Sequence, residues 1–416
     1  MPEEARRVTA EQDRSPTTTV ARRRNRLGPL GFVVGFGLVS MLGDVVYEGM
    51  RSVIGPYLAT FGASAALVGV ITGVGEAVAL VLRLGTGQLS DRLRRQWGQS
   101  ILGYVITVVA VPPLAVAHAL WGAASLVIAE RFGKAIRTPA RDTMLAQAGS
   151  RLGQGWAFSL HEALDQTGAL IGPLIVAGMV ALSGGFRAGF AVLTIPAMLL
   201  VVVILTVRFA APAPSRYEQP EETRPTSAAE TAGERFPRRF WVYAAFAGLT
   251  MLGFATFAVL AYHLQVRHVI APALIPVVYS AAMGADAVAA LAFGRLYDRI
   301  GLRGLAVLPV LAAAVPFLSF TTSPALVWIG ALVWGAAMGI HDSTMRAAIA
   351  DLVPASRRGA GYGTFTAIYG LAWLAGSVAI GALYDVSLPA VWIFVVAAQA
   401  LALAAFVPLG RSQPAT

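Results

Sequence analysis

Apolar residues in this chain come in long unbroken runs rather than in the stripes or alternations of a soluble domain. Twelve runs, at about 28–52, 64–86, 98–117, 121–146, 156–182, 187–208, 239–266, 273–293, 304–321, 324–350, 360–384 and 388–409, each approach the roughly 20 residues that cross a hydrocarbon core. They predict an all-α polytopic membrane protein, with twelve transmembrane helices in two pseudo-symmetric six-helix bundles. Residues 1–27 are polar and predict a disordered cytoplasmic tail; the apolar run after them is too long for a signal-peptide core. Residues 210–238, rich in Pro, Glu, Ser and Thr, predict a flexible cytoplasmic linker between bundles at 28–209 and 239–410, and 411–416 a short cytoplasmic tail.

The distribution of arginine sets the orientation. Arg92, Arg94, Arg95, Arg151, Arg295, Arg299, Arg303, Arg357 and Arg358 fall in one set of loops, and the segment Arg208 to Arg239 joins them. The opposite loops hold only Arg51, Arg187 and Arg267. The arginine-rich side is expected to be cytoplasmic, with both termini there, in a plasma or inner membrane.

Composition narrows the function classes. Hydrophobic residues make up 56% and charged residues 13%, about half the charge of a soluble domain. The net charge of +10 reads as arginine facing anionic lipid, since no aromatic-basic groove pattern accompanies it; nucleic acid is not an expected partner. With no cysteine and five scattered histidines, neither a disulfide nor a metal site is expected. No Gly-x-x-x-x-Gly-Lys-Ser/Thr loop is present, so an ion gradient is the expected energy source, without a cofactor.

Against this apolar background, ionisable residues inside the spans are candidates for function. The fourth span carries Glu130, Arg131, Lys134 and Arg137, then Arg141 and Asp142 near its end; Lys134 is the only lysine of the chain. Glu130, Lys134, Arg137 and Arg141 fall at i, i+4, i+7 and i+11, one helical stripe. The first span has Asp44, Glu48 and Arg51 at i, i+4, i+7 with Tyr47 alongside, and the fifth has His161, Glu162 and Asp165. Glu76 and Arg83 share a face of the second span. The second half contributes Asp286, His341, Asp342 and Arg346 as secondary candidates; His263 reads as a satisfied structural group.

Two readings of these groups stand side by side. One is an ion-pair network that only holds helices together. The other is a set that takes up and releases protons, led by Asp44, Glu48 and Asp165. A lone lysine among arginines suits a need for a titratable base, because arginine is effectively never deprotonated. The basic trio Arg131, Lys134 and Arg137 also suits an anionic substrate.

The halves repeat. Gly87-Gln-Leu-Ser-Asp91-Arg92 matches Gly294-Arg-Leu-Tyr-Asp298-Arg299, each after the second span of its half. A short turn of this kind lets helix ends approach, and Asp91 could meet a helix amino end or Arg141 as a latch. In the fifth span, Gly168-x-x-x-Gly172-Pro173 permits close helix approach and a bend.

With twelve spans, a central linker and the doubled loop, the whole chain resembles the major facilitator superfamily. Its signature between helices 2 and 3 is Gly-x-Leu-x-Asp-Arg-x-Gly-Arg-Arg. Gly87, Leu89, Asp91, Arg92, Arg94 and Arg95 are similar to it, with Arg94 standing where the glycine usually lies. The Gly168, Gly172 and Pro173 set is similar to the core of the helix-5 signature associated with antiporters. The phrases from Arg131 to Asp142 and from His161 to Gly168 look like a branch of bacterial permeases.

The resemblance implies a monomeric secondary transporter working by alternating access, and no enzyme. The first expectation is proton-coupled export of a small organic solute. The runner-up is proton-coupled or exchange uptake of an organic anion, and a non-transporting membrane sensor on the same fold is more remote.

Overall fold

The computed structural model describes residues 25–87, 95–218, 236–354 and 357–410. Helices make up nearly all of it, with no strand among the described residues. The first half holds α1 (Pro29–Arg51), α2 (Ala65–Val81), α3 (Gln96–Ala110), α4 (Leu120–Leu152), α5 (Gln154–Ser183) and α6 (Thr194–Ala210). The second holds α7 (Arg238–Leu252), α8 (Leu274–Ile300), α9 (Val307–Ser319), α10 (Pro324–Leu352), α11 (Arg358–Val386) and α12 (Leu388–Gly410). Short helices at Ile54–Ala59 and Phe257–Val266 extend α1 and α7 at corresponding places.

Among the described residues, ten segments are long and apolar enough to cross a membrane by length and composition alone. One of them, Leu274–Ser319, contains both α8 and α9, which turn back at Gly301–Ala306. α4 falls outside the ten because of Glu130, Arg131, Lys134 and Arg137. With those two adjustments the crossings number twelve, and the fold is the expected pair of six-helix bundles. α4 and α8 outrun their expected limits, to Leu152 and Ile300. Hydropathy marks membrane depth, whereas a helix continues past it as long as its turns are hydrogen-bonded.

Large apolar side chains point outward across the peripheral helices. Leu182 is 84% exposed and Ile393 71%. In water such a surface would drive association; in lipid it is the expected one. Local chemistry sets the helix ends. Ser64 caps α2 by accepting from the Leu67 amide, and Gly184 ends α5 at φ +74°, the left-handed conformation that glycine adopts without strain. Inside α4, Pro139 has no amide hydrogen to offer the Ala135 carbonyl. Thr86 of the extended α2 donates to that carbonyl instead, at 2.8 Å.

Gly168 and Gly172 seat α5 on α1. A Cβ at Gly168 would lie 2.2 Å from the Met41 carbonyl oxygen, and one at Gly172 2.4 Å from that of Val45. The Gly168→Val variant should therefore lose about 1–3 kcal/mol through overpacking. Thermal unfolding of the purified variant tests this, and an unchanged midpoint would contradict the packing role.

The near face of the protein is the one that carries the amino end of α1. There the first part of the linker is packed. Tyr217 is buried and donates to the Leu27 carbonyl at 2.7 Å, and Arg151 donates to the Tyr217 carbonyl at 2.8 Å. The rest of the linker, 219–235, and residues 1–24 lie outside the described residues.

Candidate functional site

Midway along the helices, between the two halves, is a cavity of about 170 Å³. α1 contributes Asp44, Glu48 and Arg51; α4 contributes Lys134; α5 contributes Glu162 and Asp165. Across from them stand Met283 and Asp286 of α8, and Trp334, Met338 and Asp342 of α10. Six carboxylates and two basic side chains thus share the wall.

The other basic residues of α4 turn away. Glu130 is fully buried and accepts two hydrogen bonds from Arg131 on one carboxylate oxygen, with Arg137 3.5 Å from the other. Arg137 also donates to Thr107 of α3 at 2.6 Å. Arg131 reaches Glu76 of α2 at 3.3 Å and makes a short hydrogen bond to Tyr47. Lys134 faces the cavity with its ammonium 4.1 Å from the centre of the Tyr47 ring. The trio Arg131, Lys134 and Arg137 therefore does not converge on one point.

Arg51 divides the space. It lies 3.6 Å from Glu48 and 3.7 Å from Glu76, and lines both the main cavity and a second one of about 40 Å³ toward the far face. Tyr279 of α8 closes the wall there by donating to Glu48 at 2.5 Å. Further out, Asp385 at the end of α11 caps the amino end of α2, accepting from the Ala65 and Ala66 amides at 3.1 and 2.9 Å. Ser280 of α8 donates to the Leu170 carbonyl of α5 at 2.9 Å. These contacts join the two halves and shut the far side. Toward the near face, Glu162 is exposed and the Asp342 side chain is 59% exposed, so the cavity opens that way.

The Asp385 cap gives a direct prediction. The sequence has no cysteine, so a cysteine placed at buried Ala63, beside the cap, is a clean reporter. Asp385→Ala should raise its labelling rate by maleimide about tenfold, the equivalent of ~1.4 kcal/mol. An unchanged rate would mean that the cap does not hold the far side shut.

The remaining sequence candidates take varied places. His161 is buried and hydrogen-bonded to Ser40 at 2.8 Å. Together with Glu162 and Asp165 it forms a group with ligand atoms within 4.8 Å of one another, near enough for a metal ion. Arg141 pairs with Asp142 at 3.0 Å and lies 3.7 Å from Asp165. Gly87 ends the extended α2, while its loop partners Asp91 and Arg92 lie outside the described residues. In the second copy, Gly294 has open space around it, Asp298 and Arg299 are exposed, and neighbouring Tyr297 donates to Asp351 at 2.9 Å. Pro173 is buried within a continuous α5. His341 packs against Tyr369 with tilted rings whose centres are 4.5 Å apart, and the side chain of Arg346 lies outside the described residues. His263 is held by Tyr384 and the Thr321 carbonyl.

Sequence reasoning missed Tyr279, Trp334 and Asp385. The first two read as ordinary core aromatics. Asp385 stands just past the expected end of its span, and only tertiary structure sets it against a helix amino end.

The family model of the Major Facilitator Superfamily matches residues 33–269 and 263–415. An uncharacterized protein of Mycobacterium tuberculosis is 48% identical over 392 residues, covering 92% of this chain and 94% of that protein. An uncharacterized MFS-type transporter of Methanocaldococcus jannaschii is 22% identical over 366 residues, covering 84% and 88%. Among solved structures, the nucleoside transporter NupG has a TM-score of 0.72 at 14% identity, covering 92% of this chain and 100% of that one. That last likeness is one of fold alone.

Proposed function

The chain belongs to the Major Facilitator Superfamily, and from that premise we propose that it is a proton-coupled exporter of a small organic solute, working by antiport. The observation that carries the reading is the charged midplane cavity between the halves, shut on the far side and open on the near side. With the arginine-rich near face taken as cytoplasmic, the site would load from the cell interior, as export requires. The protein would act as a monomer in the plasma membrane with both termini inside. Lys134, Asp44, Glu48 and Asp165 share the cavity wall and supply groups able to take up and release protons in exchange for the solute.

Uptake of an organic anion has less behind it. It leaned on the trio Arg131, Lys134 and Arg137, and two of those three are already bound to Glu130.

The test is reconstitution into liposomes carrying an internal pH dye, with permanently charged, neutral and anionic compounds added outside. Permanently charged cations cannot cross the bilayer as neutral amines and so do not mimic transport. Entry of a compound with alkalinisation of the lumen means antiport. Entry with acidification would mean symport, and entry without a pH change would remove proton coupling altogether.

A further inference from the structure

The two halves treat their charges differently. In the first half nearly every base is used by an acid of the same half. Arg51 sits between Glu48 and Glu76, Arg131 between Glu130 and Glu76, and Arg141 between Asp142 and Asp165. The second half brings two carboxylates to the cavity, Asp286 and Asp342, and no lysine or arginine among the described residues. Asp342 is exposed toward the opening, with His341 3.8 Å away. Asp286 is different. It is only 7% exposed, it faces the cavity, and its carboxylate has no hydrogen bond or ion pair among the described residues.

A buried carboxylate without a partner is costly, and a cation or a proton must satisfy it. Arg51, the one arginine on the described wall, is engaged by Glu48 and Glu76, and Lys134 lies over the Tyr47 ring and makes no ion pair with Asp286 among the described residues. Beside Asp286 the wall is Trp334, fully buried with its indole N–H donated to the Ala255 carbonyl, together with Met283 and Met338. An indole face flanked by thioethers suits the apolar part of a cationic ligand. Exposed Glu162 and Asp342 carry the negative field out to the opening, where it would draw cations in. The volume, about 170 Å³, is below the roughly 300 Å³ at which drug-sized ligands begin to fit.

We propose that the cavity takes a small organic cation, its ammonium on Asp286 and its apolar part against Trp334. The inference rests on the transport reading and gives it a substrate class. It also gives exchange a simple basis, since a proton and the cation would be alternative partners of one carboxylate. The groups that face this exchange from the other helices are Asp44, Glu48 and Arg51 of α1, Lys134 of α4, Glu162 and Asp165 of α5, and Asp342 of α10.

Thermal unfolding of the purified full chain tests it, with 1,4-diaminobutane, tetramethylammonium and benzyltrimethylammonium as cations. Succinate, 1,4-butanediol and manganese(II) are the contrasts. At least one of the organic cations should raise the midpoint in a concentration-dependent way, with no effect from succinate or butanediol. Asp286→Asn should fold at least as stably as the parent and bind that cation at least tenfold more weakly. Asp286→Glu should keep the response.

Any of four results would overturn the assignment: stabilisation by succinate, no response to all three organic cations, an undiminished response in Asp286→Asn, or a response to manganese alone. The last would point to His161, Glu162 and Asp165 as a metal site. If the assignment fails while compounds still move protons in liposomes, only the substrate class falls. If no compound of any charge enters the liposomes, the transport reading falls with it.

Discussion

Glu130→Ala should be the most destabilising single substitution in the first half, at about 3–5 kcal/mol. Glu130 has no exposed surface and is the shared partner of Arg131 and Arg137. Its removal leaves two guanidinium groups inside the bundle, with Glu76, Tyr47 and Thr107 as the neighbours still able to accept hydrogen bonds. Breaking a buried pair from one side strands the other charge, which is why the loss exceeds that of an exposed ion pair. Glu130→Gln keeps an acceptor and should fall between the two. The unfolding midpoint and the yield of folded protein are the readouts. A midpoint equal to that of the parent would mean that water or lipid headgroups reach these arginines.

Lys134→Ala and Asp165→Asn should each abolish coupled transport while leaving the protein inserted and folded. Lys134 lies over the Tyr47 ring on the cavity wall, with no carboxylate within 4.0 Å among the described residues. One oxygen of Asp165 lies 3.7 Å from Arg141, and the other is buried without a hydrogen-bond partner. Neither residue is a keystone of packing in the way Glu130 is. Lys134→Arg separates two roles. Arginine keeps the positive charge and cannot give up its proton, so a lost pH response in that variant identifies Lys134 as a proton carrier. Normal coupling in Lys134→Ala or in Asp165→Asn, at normal expression, would return these residues to a structural network.

Much of the architecture was legible in the sequence, because apolar run length reports membrane depth directly. The doubled loop and the central polar segment gave the two halves. The crowd of charges in α4 was visible too, but its wiring was not. Lys134 and Arg137 share a stripe by spacing, yet the lysine reaches α1 and the arginine reaches α3. Side chains of that length choose among neighbouring helices, and spacing along one helix says nothing of which neighbour lies near. The same limit hid the isolation of Asp286 and the cap made by Asp385, each defined by residues distant in the chain. The glycines Gly168 and Gly172 were easier, since close approach is a property that small residues announce themselves.

Alternating access to the cavity is tested most directly at Ala169, a buried residue of α5 on its wall. Ala169→Cys in this cysteine-free chain can be challenged with a membrane-impermeant cationic thiol reagent, in vesicles of either orientation. Labelling is expected from both faces, with the far-face reaction slower and accelerated by Asp385→Ala, and no leak of the reagent across the membrane. Labelling from one face alone, in every condition including the Asp385 variant, would contradict alternating access.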